Sequence, residues 1–159
     1  MTDTNPIPAG YEGIIPHLVV PDATAAIEFY AAAFDAVEVS RAPTPDGRLM
    51  HADIVIGGAH VYLADPFPEM APEGEEVIVG GDGTNLGLHR FVEDVDAAVE
   101  QAVAAGATLK MPPMDMFWGD RYAQVLDPYG YEWPIATHVK DMTPEEMMAA
   151  QAEMMGGGD

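Results

Sequence analysis

Apolar residues recur at helical spacing in two stretches of the chain, which predicts amphipathic helices over 23–34 and 95–105. Each stretch follows an aspartate, Asp22 or Asp94, whose carboxylate is suited to accept hydrogen bonds from the first backbone N–H groups of a helix. Gly106 is placed to end the second helix. The apolar positions that define the two faces are Ile27, Tyr30, Phe34, Val95, Val99, Ala102 and Val103.

Short β-rich runs surround each predicted helix. One strand precedes each helix, over 14–20 and 86–92. The strands that follow lie at 37–41, 50–56 and 59–64 in the first half, and at 108–111, 122–127 and 131–136 in the second. Gly57-Gly58 predicts a hairpin turn and 127–130 a second turn. Each half therefore has the element order βαβββ.

A single offset of 72 residues relates the two halves. It pairs His17 with His89, Asp22 with Asp94, Glu28 with Glu100, and Gly58 with Gly130. We therefore predict an α+β fold made of two tandem βαβββ modules. The expected boundaries are an N-terminal arm at 1–13, a first module at 14–66, a linker loop at 67–84, a second module at 85–138, and a C-terminal helix with a frayed tail at 139–159.

The charge of the chain limits the classes of molecule that it is expected to bind. Six basic residues oppose 27 acidic ones, and the resulting net charge of −21 repels phosphate backbones, so nucleic acid is not an expected partner. The same charge favours a cationic ligand, or it serves solubility alone. The chain lacks cysteine, and no apolar run approaches the roughly 18 residues of a membrane span. The N-terminus does not resemble a signal peptide, so a cytoplasmic location is expected.

The segment Thr143-Pro144-Glu145-Glu146 has the pattern of a capping box with proline at the first helical position. It predicts a methionine-rich helix that ends near Met155, followed by a frayed tail. The methionines are expected to pack on the body of the protein or in a dimer contact.

Four segments of the chain carry recognisable motifs: PHLVVPD at 16–22, AIEFY at 26–30, GRLMHA at 47–52 and VEDVD at 92–96. They resemble those of the vicinal oxygen chelate superfamily, which includes glyoxalase I, bleomycin-resistance proteins and extradiol dioxygenases. Three further motifs resemble its PhnB-like, glyoxalase-like branch in particular, namely FWGDRY at 117–122, DPYG at 127–130 and WPIATH at 133–138. The resemblance implies a U-shaped mixed sheet around a central cavity, with the helices outside. It also implies a small-molecule ligand or substrate and, by analogy, a homodimer.

Many members of this superfamily hold a divalent metal with one ligand from the first and one from the last strand of each module. By the resemblance, those positions fall on Ile15, Tyr62, Gly87 and Pro134, and of these only Tyr62 carries a ligand-type side chain. The usual metal site is therefore not kept, which argues against glyoxalase I activity.

A different set of ligand-type residues lies two positions from those sites, on the same strand faces. The set is His17, His60, His89 and Glu132, and by ligand type it suits Zn²⁺, Fe²⁺, Mn²⁺ or Ni²⁺. The four stay together if the first and last strands of a module pair antiparallel, and they separate if those strands pair parallel. The alternative is a metal-free pocket in which His17 and His89 bind the ligand directly.

His51 is a candidate general base, with Asp53 placed to orient it, or it is a half-buried structural histidine. The alternation of strand residues leaves open whether His51 and Asp53, or Met50 and Ala52, face the cavity.

An aromatic and polar cluster near the last strands is expected to bind the ligand. Phe117, Trp118 and Tyr122 would form an apolar wall for a flat molecule, and Tyr62 would line the pocket. Arg121 would hold an anionic group, or else pair with a carboxylate of the protein.

Two functions follow from these features. The first is an enzyme of the lyase, isomerase or oxygenase type, with His17, His89 and His51 as metal ligands or acid–base groups. The second is a non-catalytic protein that sequesters a small, cationic, aromatic ligand, as bleomycin-resistance proteins do. The histidines that are expected to face the cavity favour the enzyme, since a purely apolar sequestering pocket has little use for them.

Overall fold

The structure, a computed structural model, describes residues 4–156 and consists of two compact units, one ending at Gly80 and one beginning at Gly81. Each unit contains a four-stranded mixed sheet and one helix that packs against it. The α+β class and the tandem βαβββ order are thereby confirmed. The first residues of the predicted arm, 1–3, and the end of the predicted tail, 157–159, lie outside the described residues.

The first unit has the strand order β1-β4-β3-β2. Its elements are β1 (His17–Val19), α1 (Ala23–Phe34), β2 (Val37–Pro43), β3 (Leu49–Ile56), β4 (Ala59–Ala64) and a short 3₁₀ helix (Pro68–Met70). β1 and β4 are parallel, and the other pairs are antiparallel. Gly57 and Gly58 both have positive φ, at 57° and 84°, as the tight β3–β4 hairpin requires.

The second unit repeats this order as β5-β8-β7-β6. Its elements are β5 (Arg90–Phe91), α2 (Val95–Ala105), β6 (Thr108–Asp115), β7 (Asp120–Leu126), β8 (Glu132–His138) and α3 (Pro144–Gly156). β5 and β8 are parallel, and the other pairs are antiparallel. Gly130, with φ 87°, matches Gly58 by the offset of the repeat.

One face of each sheet is buried under its helix. In the first unit the most buried side chains include Leu18, Tyr30, Ile54 and Leu63, and in the second Val95, Val125, Trp133 and Ile135. Full burial of a side chain of this size contributes roughly 1.5–3 kcal/mol. The apolar stripe of each helix therefore determines which sheet face it covers, and the side chains of the opposite face do not pack against that helix.

The repeat extends to the hydrogen bonds that start the two helices. Asp22 accepts from Ala25 N at 2.9 Å and Asp94 from Ala97 N at 3.1 Å, as predicted. A second bond comes from the end of the last strand of each unit. Asp65 accepts from Ala23 N at 2.8 Å and Thr137 from Val95 N at 2.9 Å, and these residues are again 72 positions apart. Each helix is thus tied at its first turn to its own sheet.

Prolines and register shifts explain where the strands differ from the predicted ranges. β1 and β5 are shorter than predicted, and Pro16 and Pro21 bound β1 because proline has no backbone N–H to donate to a sheet. β6 runs to Asp115, beyond the predicted 108–111, with an irregular register between Met111 and Met114, where two prolines interrupt the ladder.

The predicted capping box at the start of α3 is confirmed. Thr143 N donates to Glu146 Oε2 at 2.8 Å, and Glu146 N donates to Thr143 Oγ1 at 3.2 Å. Met148, Met154 and Met155 are exposed on this helix. Across residues 4–156, no helix has the length and apolar character needed to span a membrane.

Candidate functional site

The face of the first sheet that points away from α1 carries most of the histidines that were predicted as site residues. Along β3, Ala52 and Ile54 lie in the core under α1, so His51 and Asp53 occupy the opposite face. The sheet register places Asp53 opposite Tyr62. The structure therefore answers the question that strand alternation left open. We call this surface the histidine face, made of His17, His51, Asp53, His60 and Tyr62.

Tyr62 lies at the centre of the histidine face. The parallel register of β1 and β4 places His17 beside it, and the two rings meet edge to face with centroids 6.3 Å apart. His51 packs against Tyr62 from β3, with centroids 4.5 Å apart and a similar edge-to-face angle. The imidazoles of His17 and His51 thus both contact the phenol of Tyr62, although the three residues are distant in sequence.

The surroundings of His17 keep its imidazole neutral. Partial burial lowers the pKa of His17 from its ordinary value of 6.5, and the nearby His51 lowers it further. A neutral imidazole at physiological pH has one ring nitrogen free to accept a proton. His17 therefore has the protonation state that a general base needs.

Asp53 orients His60 rather than His51, which corrects the role expected for it. This aspartate is 2% exposed, and its Oδ1 lies 2.8 Å from Nδ1 of His60. Its other oxygen, Oδ2, accepts a hydrogen bond of 2.6 Å from the hydroxyl of Tyr11. Tyr11 was not predicted as a site residue, because nothing in the sequence relates it to a strand 42 residues away.

The proposed ligands His17, His60, His89 and Glu132 do not form a metal site in this structure. β1 and β4 pair parallel, with His17 opposite Tyr62, so His60 is two residues further along β4. In the second unit Glu132 is opposite Gly87, two residues from His89. Because β1 pairs parallel with β4, and β5 with β8, the two proposed ligands of each module lie apart. Among residues 4–156, no group of three or more histidine, aspartate or glutamate side chains is positioned to hold a metal ion.

The face of the second sheet that points away from α2 carries several aromatic side chains. The His89 ring lies 4.9 Å from Phe91 and 6.2 Å from Tyr122, with the second pair nearly parallel. Trp118 continues the cluster, with centroids 5.8 Å from Tyr122 and 5.0 Å from Phe117. These five residues are the aromatic cluster. Phe117, Trp118 and Tyr122, which were predicted to lie together, are thus in one cluster. Phe91 is a further member that was not predicted from the sequence.

A cleft of about 530 Å³ lies beside the aromatic cluster. Its lining residues are Phe91, Val92, Glu93, Thr137 and His138. Phe91 is 59% exposed, although it lies on a strand. A large aromatic side chain exposed at a cleft is a common feature of ligand-binding surfaces.

His138 is held between two carboxylates at the edge of this cleft. Its Nδ1 lies 2.8 Å from Asp120 and its Nε2 3.0 Å from Asp141. These contacts raise the pKa of His138, with that to Asp141 having the larger effect. Asp120 also accepts from the indole N–H of Trp118 at 2.9 Å. These contacts hold the His138 ring beside Asp120, and Asp120 in turn positions the indole of Trp118. The sequence places Asp120 in the same motif as Trp118 but does not show its bond to His138.

Arg121 is held in ion pairs with two carboxylates of the protein. Its guanidinium makes two hydrogen bonds to Asp96 of α2, at 2.6 and 2.8 Å, and a third to Asp115 at 3.1 Å. These bonds raise the pKa of Arg121 and lower that of Asp96. Of the two roles predicted for Arg121, the structure shows the ion pair, which joins β7 to α2.

Comparison with known proteins extends these observations. Residues 14–135 match the family described as the Glyoxalase/Bleomycin resistance protein/Dioxygenase superfamily. An uncharacterized protein from Mycobacterium bovis is 43% identical over 142 residues, which cover 89% of this chain and 93% of that protein. TioX from Micromonospora sp. ML1 has a similar structure, with a TM-score of 0.62, 28% identity, and coverage of 80% of this chain and 100% of TioX. A glyoxalase-related enzyme from Fulvimarina pelagi shares the fold, with a TM-score of 0.61, 24% identity, and coverage of 79% of this chain and 88% of that one.

Proposed function

Because the chain belongs to the Glyoxalase/Bleomycin resistance protein/Dioxygenase superfamily, we propose that it is an enzyme of the isomerase or lyase type that moves a proton on a small, carbonyl-bearing molecule at the histidine face. The observation that carries this proposal is the imidazole of His17 edge to face with the hydroxyl-bearing ring of Tyr62, and the lowered pKa of His17 supports it. A base next to a hydrogen-bond donor is the combination that proton abstraction beside a carbonyl group requires.

The reaction step follows from these two groups. His17 takes a proton from the carbon adjacent to the carbonyl group, and the electron pair of that C–H bond forms a C=C bond. The carbonyl oxygen becomes an enolate oxygen, and Tyr62 stabilises it by donating a hydrogen bond. The proton then returns from His17 to either carbon. Return to the first carbon is exchange. In an α-hydroxycarbonyl substrate, return to the second carbon is isomerisation, because the α-hydroxyl oxygen becomes the new carbonyl and its proton passes to the former carbonyl oxygen.

Exchange with solvent provides a test that can be run before the natural substrate is identified. In D₂O, we expect the full-length protein to accelerate the replacement of carbon-bound hydrogen by deuterium in at least one small α-hydroxycarbonyl compound. The probes are hydroxyacetone, dihydroxyacetone and acetoin, followed by ¹H NMR and mass spectrometry. Heat-inactivated protein at equal concentration is the control. Rates equal to that control for all three compounds would contradict the proposal.

A binding function is the second candidate, and the aromatic cluster of the second unit supports it. The cluster offers ring faces for a flat ligand, and the net charge of −21 attracts a cation. A non-catalytic protein that sequesters a flat aromatic cation would need only this surface and its cleft. A cytoplasmic location and a homodimer stay predictions from the sequence.

Trp118→Ala is expected to weaken binding of N-methylquinolinium, a flat aromatic cation, by about fivefold, since one aromatic contact contributes about 0.5–1.5 kcal/mol. Isothermal titration calorimetry at two salt concentrations measures the effect and separates it from general charge attraction. Phe67→Ala, which removes an aromatic ring outside the cluster, is the matched control. Equal affinity in wild type and Trp118→Ala would remove the cluster from consideration as a binding surface.

A further inference from the structure

A buried carboxylate on the histidine face has two donors that come from different parts of the chain. Asp53 Oδ1 is bonded to Nδ1 of His60, and Asp53 Oδ2 to the hydroxyl of Tyr11. An ionised carboxylate only accepts hydrogen bonds, so both partners must donate. The hydrogen bond to Asp53 raises the pKa of Tyr11 to about 12, which keeps its hydroxyl protonated as a donor. The arrangement therefore needs no further partner to satisfy Asp53.

This hydrogen bonding determines which nitrogen of His60 is free. Since Nδ1 carries the proton that it donates to Asp53, Nε2 of the neutral ring has an unshared electron pair. The side chain of His60 is 16% exposed, so the ring is partly open to solvent. His60 can therefore accept a proton at Nε2 while Asp53 holds the ring in place.

His60 lies on the strand that carries Tyr62, next to the strand that carries His17. His60 is two residues from Tyr62 on β4, on the same face, which corresponds to a separation of about 7 Å along the strand. His17 is opposite Tyr62 on the neighbouring strand. Tyr62 is thus flanked by one histidine from β1 and one from its own strand.

The segment before β1 completes the arrangement. The Tyr11 ring stacks on the His60 ring, with centroids 4.0 Å apart and an interplanar angle of 29°. Gly10 lies near Nε2 of His60, since an added Cβ would be in ordinary contact with that nitrogen at 3.8 Å. This segment therefore covers one side of His60 and also supplies the second donor to Asp53.

We propose that His60 is a second proton-transfer residue of the histidine face, positioned by Asp53 and by Tyr11 from the segment before β1. This inference rests on the proposed function and names a second residue for its reaction with α-hydroxycarbonyl substrates. His60 accepts the proton of the substrate hydroxyl as that oxygen becomes the new carbonyl. It then donates this proton to the former carbonyl oxygen, while His17 carries the carbon-bound proton. Every proton is returned, and no oxidant or metal is needed.

The spectroscopic test of this proposal requires no substrate. Long-range ¹H–¹⁵N NMR of the full-length protein, with His60 assigned by His60→Gln, distinguishes a protonated Nδ1 from a protonated Nε2. We expect Nδ1 to carry the proton in the neutral ring of wild type and Asp53→Asn to change this preference. A His60 ring protonated at Nε2 in wild type would overturn the positioning role of Asp53, whatever the exchange assay shows.

The kinetic test uses the exchange assay with whichever probe wild type accepts. We expect His60→Gln and Asp53→Asn to lower kcat for isomerisation by about 10- to 100-fold with little change in KM, because they remove an acid–base group or its orientation. Tyr11→Phe keeps the stacked ring and loses only the hydroxyl, so its effect should be smaller and in the same direction. Asp46→Asn, in an exposed Asp–Arg pair away from this face, is the control.

The results distinguish a failure of this inference from a failure of the proposed function. If wild type exchanges a probe and His17→Gln abolishes this, but His60→Gln and Asp53→Asn keep wild-type kcat, His60 is not a proton-transfer residue and the proposed function stands. If wild type exchanges no probe, the proposed function and its extension to His60 both fail. Should Asp53→Asn not fold, Tyr11→Phe and His60→Gln decide the question.

Discussion

Replacing His17 by glutamine is expected to lower the exchange rate of the accepted α-hydroxycarbonyl probe by about 100-fold or more, the usual contribution of a general base. Glutamine has similar size and polarity but no nitrogen that can take a proton at neutral pH. The neighbouring Tyr62 keeps its contact surface, so KM should change little. The measurement is kcat and KM for deuterium incorporation by ¹H NMR.

The dependence of this rate on pH provides a second readout. The pKa of His17 in the folded protein lies below 6.5, because burial and the adjacent His51 disfavour its charged form. We therefore expect the wild-type rate to be constant above pH 6.5 and to fall as the pH drops through the lowered pKa of His17. A His17→Gln variant with wild-type kcat, or an acid limb above pH 6.5, would contradict the assignment of His17 as the base.

The same pKa has a consequence for stability, with a defined sign. The unfolded chain binds a proton at His17 near pH 6.5, whereas the folded chain binds it only at lower pH. The unfolded state therefore takes up more protons as the pH falls below 6.5, and acid reduces the free energy of unfolding. His17→Gln should weaken this dependence in urea titrations performed between pH 5 and 8.

Asp127→Ala is expected to lower the free energy of unfolding by about 3 kcal/mol or more, because it leaves several buried donors without an acceptor. Asp127 is 3% exposed, and its carboxylate accepts hydrogen bonds from Tyr129 N and Tyr131 N at 2.9 and 3.0 Å. It also accepts from the indole N–H of Trp133 at 2.9 Å, and Trp133 belongs to the core of the second unit. One side chain therefore links the turn at 127–130 to the core.

Urea unfolding followed by tryptophan fluorescence measures this effect. Asp127→Asn should lie between alanine and wild type, because its amide oxygen still accepts from the turn while its NH₂ group cannot accept from the indole N–H. Glu100→Ala, on the exposed face of α2, is the control and should stay within about 0.5 kcal/mol of wild type. An Asp127→Ala variant as stable as that control would show that the turn does not depend on this carboxylate.

The pattern of the sequence was sufficient for the helices, the order of the elements and the repeat. The helices α1 and α2 have the predicted bounds, and the predicted caps Asp22 and Asp94 form the expected hydrogen bonds. Local rules explain this success, since helix periodicity, capping and turn chemistry depend on residues only a few positions apart. The 72-residue repeat then extended the assignment of one half to the other.

The candidate site could be predicted only in part. The alternation of strand residues identified His17, His51 and His60 as candidates but left open which residues of β3 share their face. Trp118 and Tyr122 were expected in one cluster and are found in one. Phe91 gave no signal. Asp120 belongs to the FWGDRY motif, but its bond to His138 could not be predicted, because that bond joins two different strands.

The sequence by itself determined the elements, the tandem repeat and the types of residue available for chemistry. Only the tertiary structure decided that parallel pairing of β1 with β4 places His17 beside Tyr62 and apart from His60. It also decided that Tyr11 and His60 share Asp53. Strand pairing and its register follow from the burial of whole faces and from long-range contacts, which no local pattern encodes. The chemistry of the histidine face therefore depends on these long-range contacts.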